Sequence, residues 1–167
     1  VINAEDPLLR DLDLPPTKRC WFSTEGRSDF VKAQLQTGAR AWVLEEKWLC
    51  FCEGEQVERV LSVDELHCAH GGAAFHNVAN ALGAAGLAQS LGADRSAIRA
   101  ALRDFGKLPE DNPGRCNIRT VGGVHLLLDF GHNPKGVEAI LKTGRLLIKD
   151  RPDSRLWVSI GQAGDRS

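Results

Sequence analysis

Two clusters of polar side chains stand out as able to do chemistry. The first is Phe75-His76-Asn77-Val78-Ala79-Asn80-Ala81-Leu82. At about 100° per residue, Phe75, Val78 and Leu82 share one helical face, while His76 and Asn80 lie one turn apart on another, flanked by Asn77. An asparagine amide offers a donor and an acceptor together, which is what an adenine edge with its amino group and ring nitrogen requires. The small Ala79, Ala81, Gly83 and Ala84 would let a flat ligand or another backbone come close. On spacing alone, a packing helix whose first turn is capped by these side chains accounts for the same residues.

The second cluster is Leu126-Leu127-Leu128-Asp129-Phe130-Gly131-His132-Asn133-Pro134. An apolar strand ends at a carboxylate, a glycine lets the backbone turn, and a His-Asn pair stands before a proline-started helix. Ligands of α/β sheets gather at the carboxyl ends of strands. A carboxylate can accept two ribose hydroxyls, and a helix N-terminus favours phosphate or an acyl phosphate. A capping Asn133 and a strand-ending Asp129 explain the pattern equally well. Arg115, after Pro113-Gly114, has the length to meet a phosphate across a cleft, or to stand solvated in a linker. Asp165-Arg166, after Gly161 and Gly164, form a similar strand-end loop.

Cysteine and histidine offer a metal alternative. Cys50 and Cys52 alternate onto one strand face, and His67-Cys68-x-His70 follows, so a tetrahedral zinc site is conceivable. The usual Cys-x-x-Cys knuckle is absent, and with Trp48 on the same face core packing is the better reading. No residue is assigned to a metal. No Ser or Cys nucleophile has the surroundings of a hydrolase motif.

The elements that must position these residues follow from pattern. Val1 to Pro7 reads as a strand end running into a turn. Apolar runs at 19–22, 41–44, 48–52 and 57–63, broken by Glu45-Glu46-Lys47 and Glu53-Gly54-Glu55, predict antiparallel strands with hairpin turns. Ala73 to Leu91 is alanine-rich and proline-free, a helix by propensity. Leu87 and Leu91 fall on the side of His76 and Asn80, so this helix is expected to be apolar nearly all round and buried in a larger domain. Asp94 or Ser96 caps a second helix over Ala97 to Phe105. Gly122-Gly123 predicts a tight hairpin between 117–121 and 124–128. Pro134 opens a helix to about Ile148, with Val137, Ile140, Leu141 and Leu147 as core positions, and Leu156 to Ile160 reads as a buried strand. The class is α/β, divided into residues 1–106, a Pro- and Gly-rich hinge at 107–114, and residues 115–167.

Composition narrows the function. With 43% hydrophobic and 26% charged residues among 167, the chain can bury a core. Lys plus Arg number 21 against 22 for Asp plus Glu, a net charge of −1, which gives no field for nucleic acid or an anionic membrane. No stretch has the length to span a bilayer and no leader pattern opens the chain, so a cytoplasmic location is expected. Five cysteines cannot all pair, and their spacing is not that of a secreted scaffold, so reduced thiols are expected. Methionine is absent and the last residues, 161–167, read as a loop after a strand, so both ends are expected to be internal to a longer polypeptide.

Taken together, His76-Asn77-x-x-Asn80-Ala81-Leu82, Asn112-Pro113-Gly114-Arg115 and Asp129-Phe130-Gly131-His132-Asn133-Pro134 resemble the Mur ligase family in order and spacing. Glu110 to Arg115 and the Gly-Asp-Arg-Ser ending resemble its cyanophycin synthetase-like branch. The resemblance implies the later part of a central ATPase domain, strand hairpins plus helices, followed by the start of a Rossmann-like C-terminal domain. It implies an enzyme in which ATP with Mg2+ phosphorylates a substrate carboxylate, and an amino acid amine then attacks the acyl phosphate to form an amide. Carried over by position, His76, Asn77 and Asn80 would face adenine, Arg115 and Asp129 would approach phosphate and ribose, and His132, Asn133, Asp165 and Arg166 would line the substrate cleft. Closure about the hinge would bring in the later residues. Phe130-Gly131 varies the family's Tyr-Ala. No Gly-x-x-x-x-Gly-Lys-Ser/Thr occurs, so the phosphate loop and the Mg2+ ligands are expected upstream, and these 167 residues alone are expected not to turn over ATP. A non-catalytic nucleotide-binding module lacking that loop is the alternative. Arginine or aspartate would be the added amino acid on the cyanophycin-like resemblance, with a peptidoglycan-type or glutamate-adding role also open.

Overall fold

Ala41, Trp42 and Val43 have no exposed surface, because their strand lies in the middle of a sheet covered on both faces. The computed structural model of the chain describes residues 1–13, 15 and 19–161. Its first sheet has five strands in the order β1 (Ile2–Asn3), β2 (Cys20–Ser23), β3 (Arg40–Glu45), β4 (Trp48–Glu53) and β5 (Gln56–Ser62). Alternation along β3 and β4 sends side chains to two cores. Trp42, Leu49 and Phe51 pack with Leu66, Val78, Leu82 and Ile98 on one side; Ala41, Val43, Cys50 and Cys52 pack with Trp21, Val31 and Leu35 on the other.

The expected hairpins are present at β3–β4 and β4–β5, which pair antiparallel. The expectation of antiparallel strands from residue 19 onward is corrected at β2 and β3, which run parallel, as β1 does with β2. Between β2 and β3 lies a helix not expected from the sequence, α2 (Asp29–Gln36). Ser28 Oγ accepts from Val31 N–H at 3.4 Å and caps it, and Val31 and Leu35 bury its inner face. A helix between two strands carries the chain back to the edge it left, so the strands it joins run in the same direction. A one-turn helix, α1 (Pro7–Arg10), capped by Asp6, stands where a simple turn was expected.

The zinc alternative fails on position. Cys50 and Cys52 face the α2 side of the sheet, whereas Cys68 packs against the core on the opposite side. All five cysteines are free thiols. Burial raises Cys20 to about 11, Cys52 to about 12 and Cys116 to about 11, so these groups behave as small apolar side chains.

Helix α3 (Phe75–Ser90) lays Val78, Ala81, Leu82 and Ala85 on the sheet. It is not buried all round: Leu87 is 56% exposed, and Leu91, just past the helix, is 90% exposed. Only one flank of α3 has the sheet beneath it, and the flank carrying Asn80, Ala84 and Leu87 faces outward. Helix α4 (Arg95–Asp104) starts at Asp94, whose carboxylate accepts from Ala97 N–H at 2.8 Å. Gly106 follows with φ +84°, and a Cβ there would stand 2.8 Å from Cys68 Cβ and 2.9 Å from its nitrogen. Only glycine meets both demands.

Beyond residues 107–114, β6 (Asn117–Val121) and β7 (Val124–Leu128) form the expected hairpin, with Gly122 and Gly123 at φ +55° and +80°. Helix α5 (Pro134–Leu147) packs on α3 and is half-buried at Val137, Ile140 and Leu141. Thr143, 1% exposed, donates from Oγ1 towards Ala73 O at 3.2 Å and Ala139 O at 2.9 Å. The strand expected at Leu156 to Ile160 is corrected. Those residues join no ladder, and Trp157 is 85% and Ile160 73% exposed. An extended apolar run becomes a strand only beside another strand's hydrogen-bonding edge, and here only Leu156 is anchored, against Gly144. Among the described residues no helix is long and apolar enough to cross a membrane.

Candidate functional site

The two polar clusters, widely separated in sequence, meet in one cleft. It has a volume of about 570 Å³ and is lined on one side by His76, Asn77 and Asn80 of α3, and on the other by Arg115, Asp129, His132 and Asn133. The expected Asp165 and Arg166 lie outside the described residues.

The far wall is built by a strap. Phe130 N–H donates to Gly114 O at 2.8 Å, and Cys116 N–H donates to Asp129 Oδ2 at 2.8 Å. Arg115 is therefore held between two backbone pins, with its guanidinium 5.4 Å from the centre of the Phe130 ring, within cation–π range. Cys116 adopts φ +51°, a conformation costly for a residue with a Cβ. The geometry repays that cost by aiming its N–H at Asp129 and its carbonyl at His70 Nε2, 2.8 Å away. Since a carbonyl only accepts, His70 carries its proton on Nε2. Asn133 Oδ1 accepts from Gly136 N–H at 2.8 Å and caps α5, so the helix N-terminus opens onto the cleft.

The near wall is set by α3. Asn77 Nδ2 donates to Cys68 O at 2.8 Å, and Asn80 Nδ2 donates to Asn77 Oδ1 at 3.2 Å. Burial pushes the His76 imidazole below the ordinary histidine value; Asp129 pulls it back to a lesser degree and His70 adds a smaller lowering push. Desolvation of the imidazolium outweighs its attraction to Asp129.

Lys135 escaped the residue patterns and lines the cleft beside Asn112, which belongs to the motif at 112–115. His70, weighed in the sequence only as a zinc ligand, instead bonds the Cys116 carbonyl. Lys135 was legible only as part of a helix start, and its position follows from Pro134 at N1. A second depression, of about 350 Å³, is lined by Phe51, Glu53, Gln56, Val57, Glu58 and Arg95. Arg95 closes on Glu58 there at 2.6 Å and lies 4.9 Å from the Phe51 ring centre, so its charges already satisfy each other.

No family model matches the chain. Over 99% of its length it is 31% identical to the cyanophycin synthetase of Crocosphaera subtropica and 32% identical to that of Synechocystis sp., of which it spans 19%. Over 76 residues, 46% of the chain, it is 41% identical to the UDP-N-acetylmuramate–L-alanine ligase of Cereibacter sphaeroides, 16% of that protein. The chain is a relative of the Mur-type ligases. It spans about a fifth of the length of the curated cyanophycin synthetases it matches. As a Mur-type relative it has a mixed α/β fold, and its parallel-then-antiparallel sheet frames the cleft in which the three motifs come together.

Proposed function

We propose that this chain supplies the adenosine-facing part of an ATP-dependent amide ligase. The observation that carries the reading is the convergence of three separated motifs, 76–80, 112–115 and 129–133, on one cleft. Its volume falls within the roughly 300–1,000 Å³ of small-molecule sites. Asn80 reads the base and the neutral His76 lies beside it. Asp129, with one oxygen held by Cys116 N–H, offers the other to ribose. Arg115, Lys135 and the α5 N-terminus face the phosphates, since each favours an anion. His132 and Asn133 border the reacting groups.

In the proposed reaction a substrate carboxylate oxygen attacks the γ-phosphorus and ADP leaves. An amino acid amine then attacks the acyl carbon, loses a proton, and expels inorganic phosphate to give the amide. Magnesium would supply charge neutralisation on the phosphates when bound. It fits these residues poorly: among the described residues Asp129 is the one carboxylate lining the cleft, and one of its oxygens is already engaged. We therefore assign the Mg2+ ligands and the phosphate loop to sequence outside these 167 residues. Residues 1–106 and 115–167 are assigned to two domains joined at 107–114, in an enzyme of the cytoplasm where ATP is supplied.

The test is phosphate release by the full-length gene product, with aspartate, arginine, alanine and glutamate each offered as the amine. Release should require ATP and one of these amines, and Asn80→Ala and Asp129→Ala should each raise the KM for ATP about tenfold, the worth of one or two hydrogen bonds. Unchanged KM in both variants would remove the site assignment, and binding without any release would leave a nucleotide-binding module.

A further inference from the structure

Both ends of the Asn77 amide, at the edge of the cleft, are already engaged within the protein. One end is fixed by the protein core. Leu66 and Ala69 are fully buried, Ala69 N–H donates to Leu66 O at 2.9 Å, and Ala74 N–H donates to Ala69 O at 3.0 Å. The short turn between them, His67–Ala69, therefore holds the Cys68 carbonyl in place against the start of α3. A carbonyl oxygen can only accept, so the group that Asn77 presents to it at 2.8 Å must be Nδ2. That leaves Oδ1 at the opposite end of the amide, where it accepts from Asn80 Nδ2 at 3.2 Å. Asn80 must then turn its nitrogen towards Asn77, which leaves its Oδ1 and its second N–H for a ligand.

We infer that Asn77 is a positioning residue that fixes which end of the Asn80 amide faces the cleft, so that the cleft selects a base carrying an exocyclic amine over one carrying an exocyclic carbonyl. The inference rests on the nucleotide reading of the cleft. Adenine places an amine donor beside a ring-nitrogen acceptor, which matches an outward Oδ1 and N–H as a bidentate pair. Hypoxanthine and guanine place a carbonyl acceptor at the same corner, where it meets Oδ1, acceptor against acceptor. If the polarity of Asn80 were free, the amide could turn an N–H towards that carbonyl and would discriminate less between the bases. The backbone carbonyl of Cys68, passed on through Asn77, removes that freedom.

The experiment compares dissociation constants for ATP and inosine triphosphate on the full-length gene product. The two probes differ in the group at this corner of the base. The unaltered protein should prefer ATP by about tenfold, a conservative share of the discrimination a bidentate amide–base pair gives. Asn77→Leu, close in volume but unable to hydrogen-bond, should bring the ratio close to one through loss of ATP affinity. Asn77→Ser, whose hydroxyl is too short to span both partners, should do the same and serves if the leucine variant does not fold. Asn77→Asp keeps an acceptor for Asn80 Nδ2 and should hold the ratio, although its carboxylate against the Cys68 carbonyl lowers stability. A merely structural role would make the ratio follow stability across the three variants. Asn80→Ala separates the two levels of the argument. If it abolishes the preference while Asn77→Leu and Asn77→Ser retain it, the positioning role is overturned and the base reading stands. If Asn80→Ala also retains the preference, the base reading fails and the inference fails with it.

Discussion

Asp129 and Cys116 show how a single residue can be committed by its neighbours before any ligand arrives. The left-handed backbone of Cys116 costs stability, yet it lets one residue donate its N–H to Asp129 and accept a hydrogen bond from His70 at its carbonyl. None of this was legible in the sequence, because a positive φ on a residue other than glycine is set by partners distant in the chain. His76, Asn80, Asp129 and Asn133 were legible as candidates, since their types and spacing carry the chemistry directly. What spacing left open was which amide atoms remain available, and the structure answers that through the Cys68 carbonyl and the α5 cap. His76 carries a prediction at this scale. Its folded-state value lies below the ordinary one of about 6.5, chiefly through burial. Between those two values the unfolded chain binds more protons than the folded one, so stability rises with pH through that window and is lost on acidification. An NMR titration should find His76 neutral at pH 7 with a midpoint below 6.5, and a midpoint above it would contradict the burial argument.

Among the elements, the hairpin between β3 and β4 carries its own strain. Glu46 and Lys47 both have positive φ, +48° and +68°, the pattern of a type I′ turn, which favours Asn-Gly. Lys47→Gly removes a Cβ from a left-handed position while keeping the Lys47 carbonyl that accepts from Val63 N–H at 2.8 Å. It should stabilise the chain by about 1 kcal/mol, read as a higher denaturant midpoint at unchanged slope; a lower midpoint would show that the lysine side chain contributes more than the strain costs. The two hairpins were legible because charged or glycine breaks separate apolar runs. The parallel pairing of β2 and β3 was not, because α2 has only eight residues and its apolar positions sit within a polar run. Leu156 to Ile160 shows the converse error: an apolar run has strand character only when a neighbouring strand offers it an edge.

For the molecule as a whole, the proposed nucleotide site depends on the seating of the β6–β7–α5 unit against α3. Thr143 and His70 each make a contact across that seam, to Ala73 and Cys116, and the cleft lies along it. The α/β class and the order of helices were legible from period and propensity. The cleft itself was not derivable from either half, since each supplies only one wall; only the joint resemblance of three motifs to a ligase family anticipated their meeting. The most direct test is photo-labelling of the full-length gene product with an ATP analogue bearing an azide on its base, followed by peptide mapping. Labelled peptides should cover residues 75–80 and 129–136, and excess ATP should protect both. Labelling confined to the depression around Phe51, Glu58 and Arg95, or unaffected by ATP, would contradict the assignment of this cleft to the nucleotide.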